Sequence, residues 1–550
     1  MTKFTDAKTL KGWLHDGAEI ALFDVREQGE YGEAHLFYAV PLPYSRLEIE
    51  APRLAPRKSV RLVVYDEGQT LAMRAAARLA DIGYTDVHVL EHGTRGWREA
   101  GFPLFAGVNV PSKTFGELVE QTCHTPSVTA AGLAAMVARG ENLVIVDGRP
   151  LSEFAKMNIP GAVCCPNGEL GYRIRDIAPD PATTIVINCA GRTRSITGAQ
   201  TLINLGLPNP VLALENGTQG WYLEDFELQH GRSDRYPDRV SPPALKAARE
   251  ASRSLAQRFA IQYVDAATAS AWHAGSEHSV FLCDVRTPEE FARGSLSGAQ
   301  HAPGGQLIQA TDQYVGVRHA RVVVFDDDGV RAPVVASWLQ QLGHDAWVLN
   351  GGLDSGLALP VRGAELPALP AMTVAELAAA LAGDRVRVLD LRASTKFRKA
   401  HIAGATWGIR PRIPAWATFE GRELVLVDDA DGVAELAASE WGVSPSSLIR
   451  RLEGGFDAWV NAALPTESTA DLPADAECID YLFFVHDRHD GNKAAARRYL
   501  EWETGLLAQL DERELAAFAV GLGAPVEIHC DGGAEPYEPA DHQRMGHSTK

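Results

Sequence analysis

The chain has 550 residues, of which 46% are hydrophobic and 22% charged, with a formal net charge of −19. That length exceeds one hydrophobic core and predicts three or four domains of ordinary globular composition. The acidic excess argues against a nucleic-acid or anionic-membrane surface, and no stretch approaches the ~20 apolar residues of a membrane span.

Met1 to Leu14 lacks an apolar run long enough for a signal-peptide core. Seven cysteines are sparse and odd in number, so a reducing cytoplasm is expected and not a disulfide framework. A strand ending in Asp-x-Arg opens the chain at Leu22-Phe23-Asp24-Val25-Arg26. It recurs at Ile145-Val146-Asp147-Gly148-Arg149, Leu282-Cys283-Asp284-Val285-Arg286 and Val388-Leu389-Asp390-Leu391-Arg392. An acidic-aromatic pair follows in the first three copies (Glu30-Tyr31, Glu153-Phe154, Glu290-Phe291), and Lys396-Phe397 in the fourth. Then come Ile159-Pro160-Gly161-Ala162, Leu296-Ser297-Gly298-Ala299 and Ile402-Ala403-Gly404-Ala405, of which the first copy keeps Leu36 to Ala39.

A second apolar strand closes each half: Leu62 to Tyr65, Ile185 to Ile187, Val322 to Phe325 and Leu424 to Val427. These lead to Asp66, Cys189, Asp326 and Asp428. The first three stand 42 residues beyond the Asp of their own Asp-x-Arg, and Asp428 stands 38 beyond Asp390. Trp97, Trp221 and Trp459 close three copies, whereas the third has Gly351-Gly352 and no tryptophan there. Short apolar strands alternating with amphipathic helices predict an α/β fold, a small parallel sheet covered by helices in each copy. Boundaries near Pro103–Pro126, His230–Phe259 and Leu359–Pro370 give units 1–106, 125–229, 260–360 and 370–465, then a helical segment 466–550. The second linker reads as helix from Ala244 to Phe259, and Asn492 to Val520 reads as helix before a loose end.

Only the second copy has a thiol at the end of its second strand. Cys189-Ala190-Gly191-Arg192-Thr193-Arg194 is a small-residue loop with two arginines, followed by a helical pattern from Ser195 to Leu205 that stops at Gly206. Loop N–H groups and the positive end of a helix dipole then face the sulfur, a setting that stabilises negative charge on it. The alternative is a small buried hydrophobe, the usual fate of a free cysteine. Asp66, Asp326 and Asp428 are expected to cap the helices that follow them.

These residues resemble the rhodanese family of sulfurtransferases. Its pattern is a strand with Asp-x-Arg, a Glu-Phe-x3-His-Ile-x-Gly-Ala stretch, a strand ending in the active cysteine with a six-residue loop, and a closing Gly-Gly-x3-Trp. The resemblance spans Thr5 to Pro465 and implies four tandem rhodanese-like domains, one with the catalytic thiol, plus the helical C-terminal segment. The second copy departs at Asn158, where His is usual, and at Thr218 in the closing turn; neither is expected to touch the nucleophile. In the family a six-residue loop goes with sulfur transfer, and a loop one residue longer with phosphatases and arsenate reductases.

The resemblance implies that Cys189 carries a persulfide and that no metal or other cofactor takes part. It implies that Ala190, Gly191, Arg192, Thr193, Arg194 and Ser195 bind the donor, while Asp147 and Arg149 form a structural motif. The two arginines favour a dianionic donor such as thiosulfate, with a thiol or cyanide as acceptor, and a homodimer is left open. Arg173 and Arg175 either reach over the pocket to the sulfonate, the role given to Arg173 among the donor-binding residues, or are solvated or salt-bridged. Cys164-Cys165 lacks C-x-x-C spacing and reads as packing, with a sulfur relay from Cys189 as the alternative. His486, His489, His529 and Cys530 do not form a metal-ligand spacing, and no phosphate-binding loop or dinucleotide fingerprint occurs. The rival reading is a non-catalytic scaffold of rhodanese-like modules, and a third is a phosphatase or arsenate reductase.

Overall fold

The computed structural model describes residues 2–413, 422–441, 448–483 and 492–521. Within them the chain builds four parallel sheets, one per sequence repeat. In the second repeat the strand order is Ser127–Val128, Val211–Leu214, Thr184–Asn188, Leu143–Asp147, Val163–Cys164. The other three follow the same order, so the strand leading to the loop is always central. Thr184–Asn188 is buried from Ile185 onward, the continuous apolar run that a strand covered on both faces requires.

The Asp-x-Arg motif does the same work in each repeat. Asp147 holds Arg149 through Nε (2.9 Å) and Nη2 (2.7 Å), and Nη2 reaches on to the Met157 carbonyl. Arg26, Arg286 and Arg392 repeat this, ending on the carbonyls of Ala34, Gly294 and Ala400. A buried charge pair of this kind fixes the turn after the first strand, because a guanidinium taken out of water needs every donor satisfied. At the far end, Gly217 has φ +54°, and a Cβ on it would lie 2.3 Å from the Cys189 carbonyl oxygen. Gly93, Gly352 and Gly455 make the same close approach to Asp66, Asp326 and Asp428. Only glycine permits the closing turn to sit against the loop.

The repeats are not beads on a string. One continuous core cluster joins residues of the first three repeats, whereas the fourth has clusters of its own. Trp338 of the third repeat donates to Thr201 Oγ1 of the second (2.8 Å). Val317–Arg318 of the third pairs antiparallel with Ile20–Asp24 of the first. Linker residues supply helices Val110–Cys123 and Pro242–Arg258. Phe115 of the former packs edge-on against Trp338, with ring centres 5.7 Å apart.

The C-terminal stretch read as one helix is three pieces: Lys493–Thr504, a 3-10 turn Leu507–Gln509 and Glu512–Leu515. Gly505 ends the first, and the reciprocal capping box of Asp511 and Glu514 starts the last. Leu506 between them is fully buried against the first repeat. No helix among the described residues is long and apolar enough to cross a membrane.

Candidate active site

Cys189 lies at the end of its central strand, one residue past Asn188, and the helix that follows begins at Thr193, two residues earlier than the sequence suggests. Thr193 to Ser195 therefore form its first turn. The thiol is buried, yet it faces a cavity of about 240 Å3 also lined by Ala190, Gly191, Arg192, Thr193 and Arg194. Ser195, fully buried, places its Oγ 3.1 Å from Cys189 Sγ. Of the seven predicted donor-binding residues, five thus line the cavity, Ser195 touches the thiol and Arg173 lies elsewhere.

The other repeats reveal what the loop is built to hold. Asp326 accepts the N–H groups of Gly329, Val330 and Ala332 at 2.9, 3.1 and 2.8 Å. Asp66 accepts from Leu71 and Ala72, and Asp428 from Ala430 and Ala434. The formal cap residues of these helices are Gln69, Val330 and Gly432, so the aspartates act from deeper in the loop than a helix cap. Each lodges a carboxyl group among converging backbone donors, whose hydrogen bonds work against the burial that raises Asp66 and Asp428. Ala72, Ala332 and Ala434 lie six positions beyond their aspartates, the place of Ser195 relative to Cys189. The loop architecture is an anion cradle, filled by the protein's own carboxylate in three repeats and by a thiol in one.

The arginines are not free cations. Arg192 donates to Glu117 from Nε (2.8 Å) and Nη2 (2.9 Å), and Nη2 also meets Glu120. Arg194 forms a two-point pair with Glu153 at 2.9 and 2.8 Å. The same pair occurs in the third repeat, where Arg331 meets Glu290 at 2.6 Å. The acidic-aromatic motif and the loop arginine are therefore the two halves of one ion pair. Lys156, exposed at the cavity wall, has no ion pair among the described residues.

Two expectations are corrected. Arg173 does not line the cavity: its Nε donates to Glu169 (2.6 Å), its Nη1 to the Pro237 carbonyl (3.1 Å), and its guanidinium lies over the Tyr236 ring. Arg175, on the same helix, does not line it either. Thr218 does touch the nucleophile residue, since its N–H donates to the Cys189 carbonyl (2.8 Å) and its hydroxyl reaches that of Ala190. Asn158 pairs with Gln229 and keeps clear of the thiol. Burial pushes the Cys164 thiol up to about 12 and raises that of Cys165 as well, so both favour the packing reading. His486, His489, His529 and Cys530 lie outside the described residues.

Sequence reasoning missed the outer wall. Lys113, Glu117 and Glu120 share one face of the linker helix, and Tyr499 and Glu503 share one face of the C-terminal helix. The i, i+3, i+4 spacing marks a polar helix face but does not name what it meets.

The comparisons with known proteins agree with this architecture. A family model described as the rhodanese-like domain matches residues 6–100, 129–224, 266–358 and 373–462. The crystal structure of thiosulfate sulfurtransferase from Pseudomonas aeruginosa is 40% identical, with a TM-score of 0.88, covering 94% of this chain and 99% of that one. The Alr3790 protein from Anabaena sp. is 27% identical over 19% of this chain and 93% of its own, with a TM-score of 0.18. Among curated proteins, none matches the chain.

Proposed function

The chain belongs to the rhodanese-like family, and from that premise we propose that it is a sulfurtransferase working through Cys189 alone. The thiolate attacks the outer sulfur of thiosulfate, the S–S bond of the donor breaks, and sulfite leaves with its electron pair. Cys189 then holds a persulfide, whose terminal sulfur passes to a thiol or to cyanide in a second displacement. No metal or other cofactor enters either step. The loop donors that hold a carboxylate in the other repeats would here hold the persulfide anion, with Ser195 Oγ at the inner sulfur. Arg194 and Arg192 would stabilise the departing sulfite, each exchanging part of its carboxylate contact for the donor.

The observation that carries this reading is the substitution of a thiol for a carboxylate in one of four equivalent anion cradles. The 40% identity to a thiosulfate sulfurtransferase across nearly the whole chain supports the donor. Intact-protein mass spectrometry after thiosulfate treatment tests it. One added sulfur is expected on the native chain and none on Cys189→Ser. A non-catalytic binding role is the second reading, favoured by the three cradles already filled by aspartate, and it predicts no sulfur on either.

A further inference from the structure

The C-terminal helix Lys493–Thr504 lies outside the four matched domains, yet it reaches the loop of the second. Glu503 is 1% exposed, accepts from Thr193 Oγ1 at 2.9 Å and pairs with Lys113 Nζ at 3.2 Å. A Cβ on Gly191 would lie 2.9 Å from Glu503 Oε2 and 3.4 Å from Tyr499 Cε1, so these two side-chain ends close directly onto the loop backbone at the glycine. Lys113 also contacts the Tyr499 hydroxyl, and Trp502 donates to the Ala106 carbonyl (3.0 Å), which anchors the helix to the first linker. Glu503, Tyr499 and Lys113 all line the cavity that holds Cys189. A buried carboxylate therefore stands beside the cradle in which negative charge must arrive.

We propose that Glu503 is a specificity-determining residue that sets how much negative charge the donor can carry, with Lys113 as its counterweight. This rests on the sulfur-transfer reading above. The energy of a fixed charge acting on a donor scales with the donor's own charge. Among the described residues Arg192, Arg194 and Lys113 are each matched by carboxylates, which leaves Lys156 on the outer wall as the cation without an ion pair. Removing one carboxylate tips the balance toward a dianion. Removing Lys113 tips it the other way. A role confined to holding the helix in place would instead change every donor alike.

Steady-state transfer to cyanide separates the two. Thiosulfate supplies a dianionic donor, and benzenethiosulfonate a monoanionic one that leaves as benzenesulfinate. Glu503→Gln keeps an oxygen to accept from Thr193 and Lys113 but removes the charge. It is expected to raise kcat/KM for thiosulfate about three- to tenfold, and for benzenethiosulfonate by about the square root of that factor. Lys113→Gln is expected to lower both, again with the larger effect on thiosulfate, and serves alone if Glu503→Gln does not fold. Equal factors for the two donors, or a fall in thiosulfate use in Glu503→Gln, would overturn the inference while leaving sulfur transfer standing. No sulfur on the native chain from either donor would overturn the sulfur-transfer reading, and this inference with it.

Discussion

Ser195 Oγ and Cys189 Sγ lie 3.1 Å apart, and both groups are buried. The hydroxyl belongs to the first turn of the helix and the thiol to the strand end, so the strand–helix junction itself sets the contact. A hydroxyl donating to a sulfur anion makes a charge-assisted bond worth about 1.5–3 kcal/mol. Ser195→Ala should therefore lower kcat/KM for thiosulfate by roughly ten- to a hundredfold. Cys189→Ser should abolish transfer while leaving the melting temperature close to that of the native chain. Steady-state assays and thermal melts check both, and residual transfer in Cys189→Ser above background would remove Cys189 from the mechanism.

The Arg194–Glu153 pair has a counterpart, Arg331–Glu290, in a repeat without a thiol. A pair found in both kinds of loop has a structural duty besides any role in binding. Arg194→Ala removes that two-point contact with Glu153 at the cavity wall and should cost stability as well as activity. Adding Glu153→Gln should restore much of the melting temperature. It should not restore thiosulfate transfer, which falls about ten- to a hundredfold without the guanidinium. If the double variant regains transfer together with stability, Arg194 shapes the loop and does not read the anion.

In the third repeat the cradle is occupied twice over. Asp326 fills it, and Asp328 Oδ1 accepts the N–H groups of Val330 and Arg331 at 2.7 and 3.1 Å. Installing a thiol alone leaves those donors taken. An Asp326→Cys, Cys189→Ser variant should therefore take up no sulfur from thiosulfate, whereas adding Asp328→Gly should let some appear on residue 326. Arg331 is best retained in such variants, because it is fully buried and also binds Glu169 of the second repeat at 2.9 Å. Stoichiometric persulfide on residue 326 without Asp328→Gly would show that the missing thiol alone silences this repeat. Peptide mass mapping reads the outcome.

Two acids on a cavity of about 680 Å3 between the first, third and fourth repeats predict a pH dependence of stability. Burial raises Glu27 and Asp312 each to about 7, against some hydrogen bonding that lowers them. The folded chain then holds protons that the unfolded chain releases between the ordinary carboxylate range and about 7. Stability contributed by these groups accordingly falls as pH rises through that window. Glu290 runs the opposite way: burial raises it, but Arg331 outweighs this and brings it to about 2, so its contribution is lost only as pH falls toward that value. Glu27→Gln can still accept from Ser45 and should flatten the decline in melting temperature between about pH 5 and pH 7. An unchanged slope would show that Glu27 is ionised throughout.

The sequence by itself determined the repeat, the α/β architecture and the position of the thiol. Each is written in local pattern: apolar runs that must be buried as strands, an Asp-x-Arg whose two charges satisfy each other two residues apart, and a glycine where a Cβ would strike the loop. The acidic residues at Asp66, Asp326 and Asp428 were also legible as anchors for backbone donors, although they bind deeper in the loop than a helix cap. Only the tertiary structure decided the charge of the site. Arg192 and Arg194 read as two open cations, but Glu117 and Glu120 come from a linker helix more than seventy residues away and Glu153 from the helix Leu151–Lys156, 41 residues before Arg194. Arg173, with the same composition cue, was turned away from the cavity by Glu169. The last wall, Glu503, comes from some 310 residues further along the chain. A polar helix face carries no mark of the partner it will meet, because ion pairs and buried contacts form between surfaces that only packing brings together.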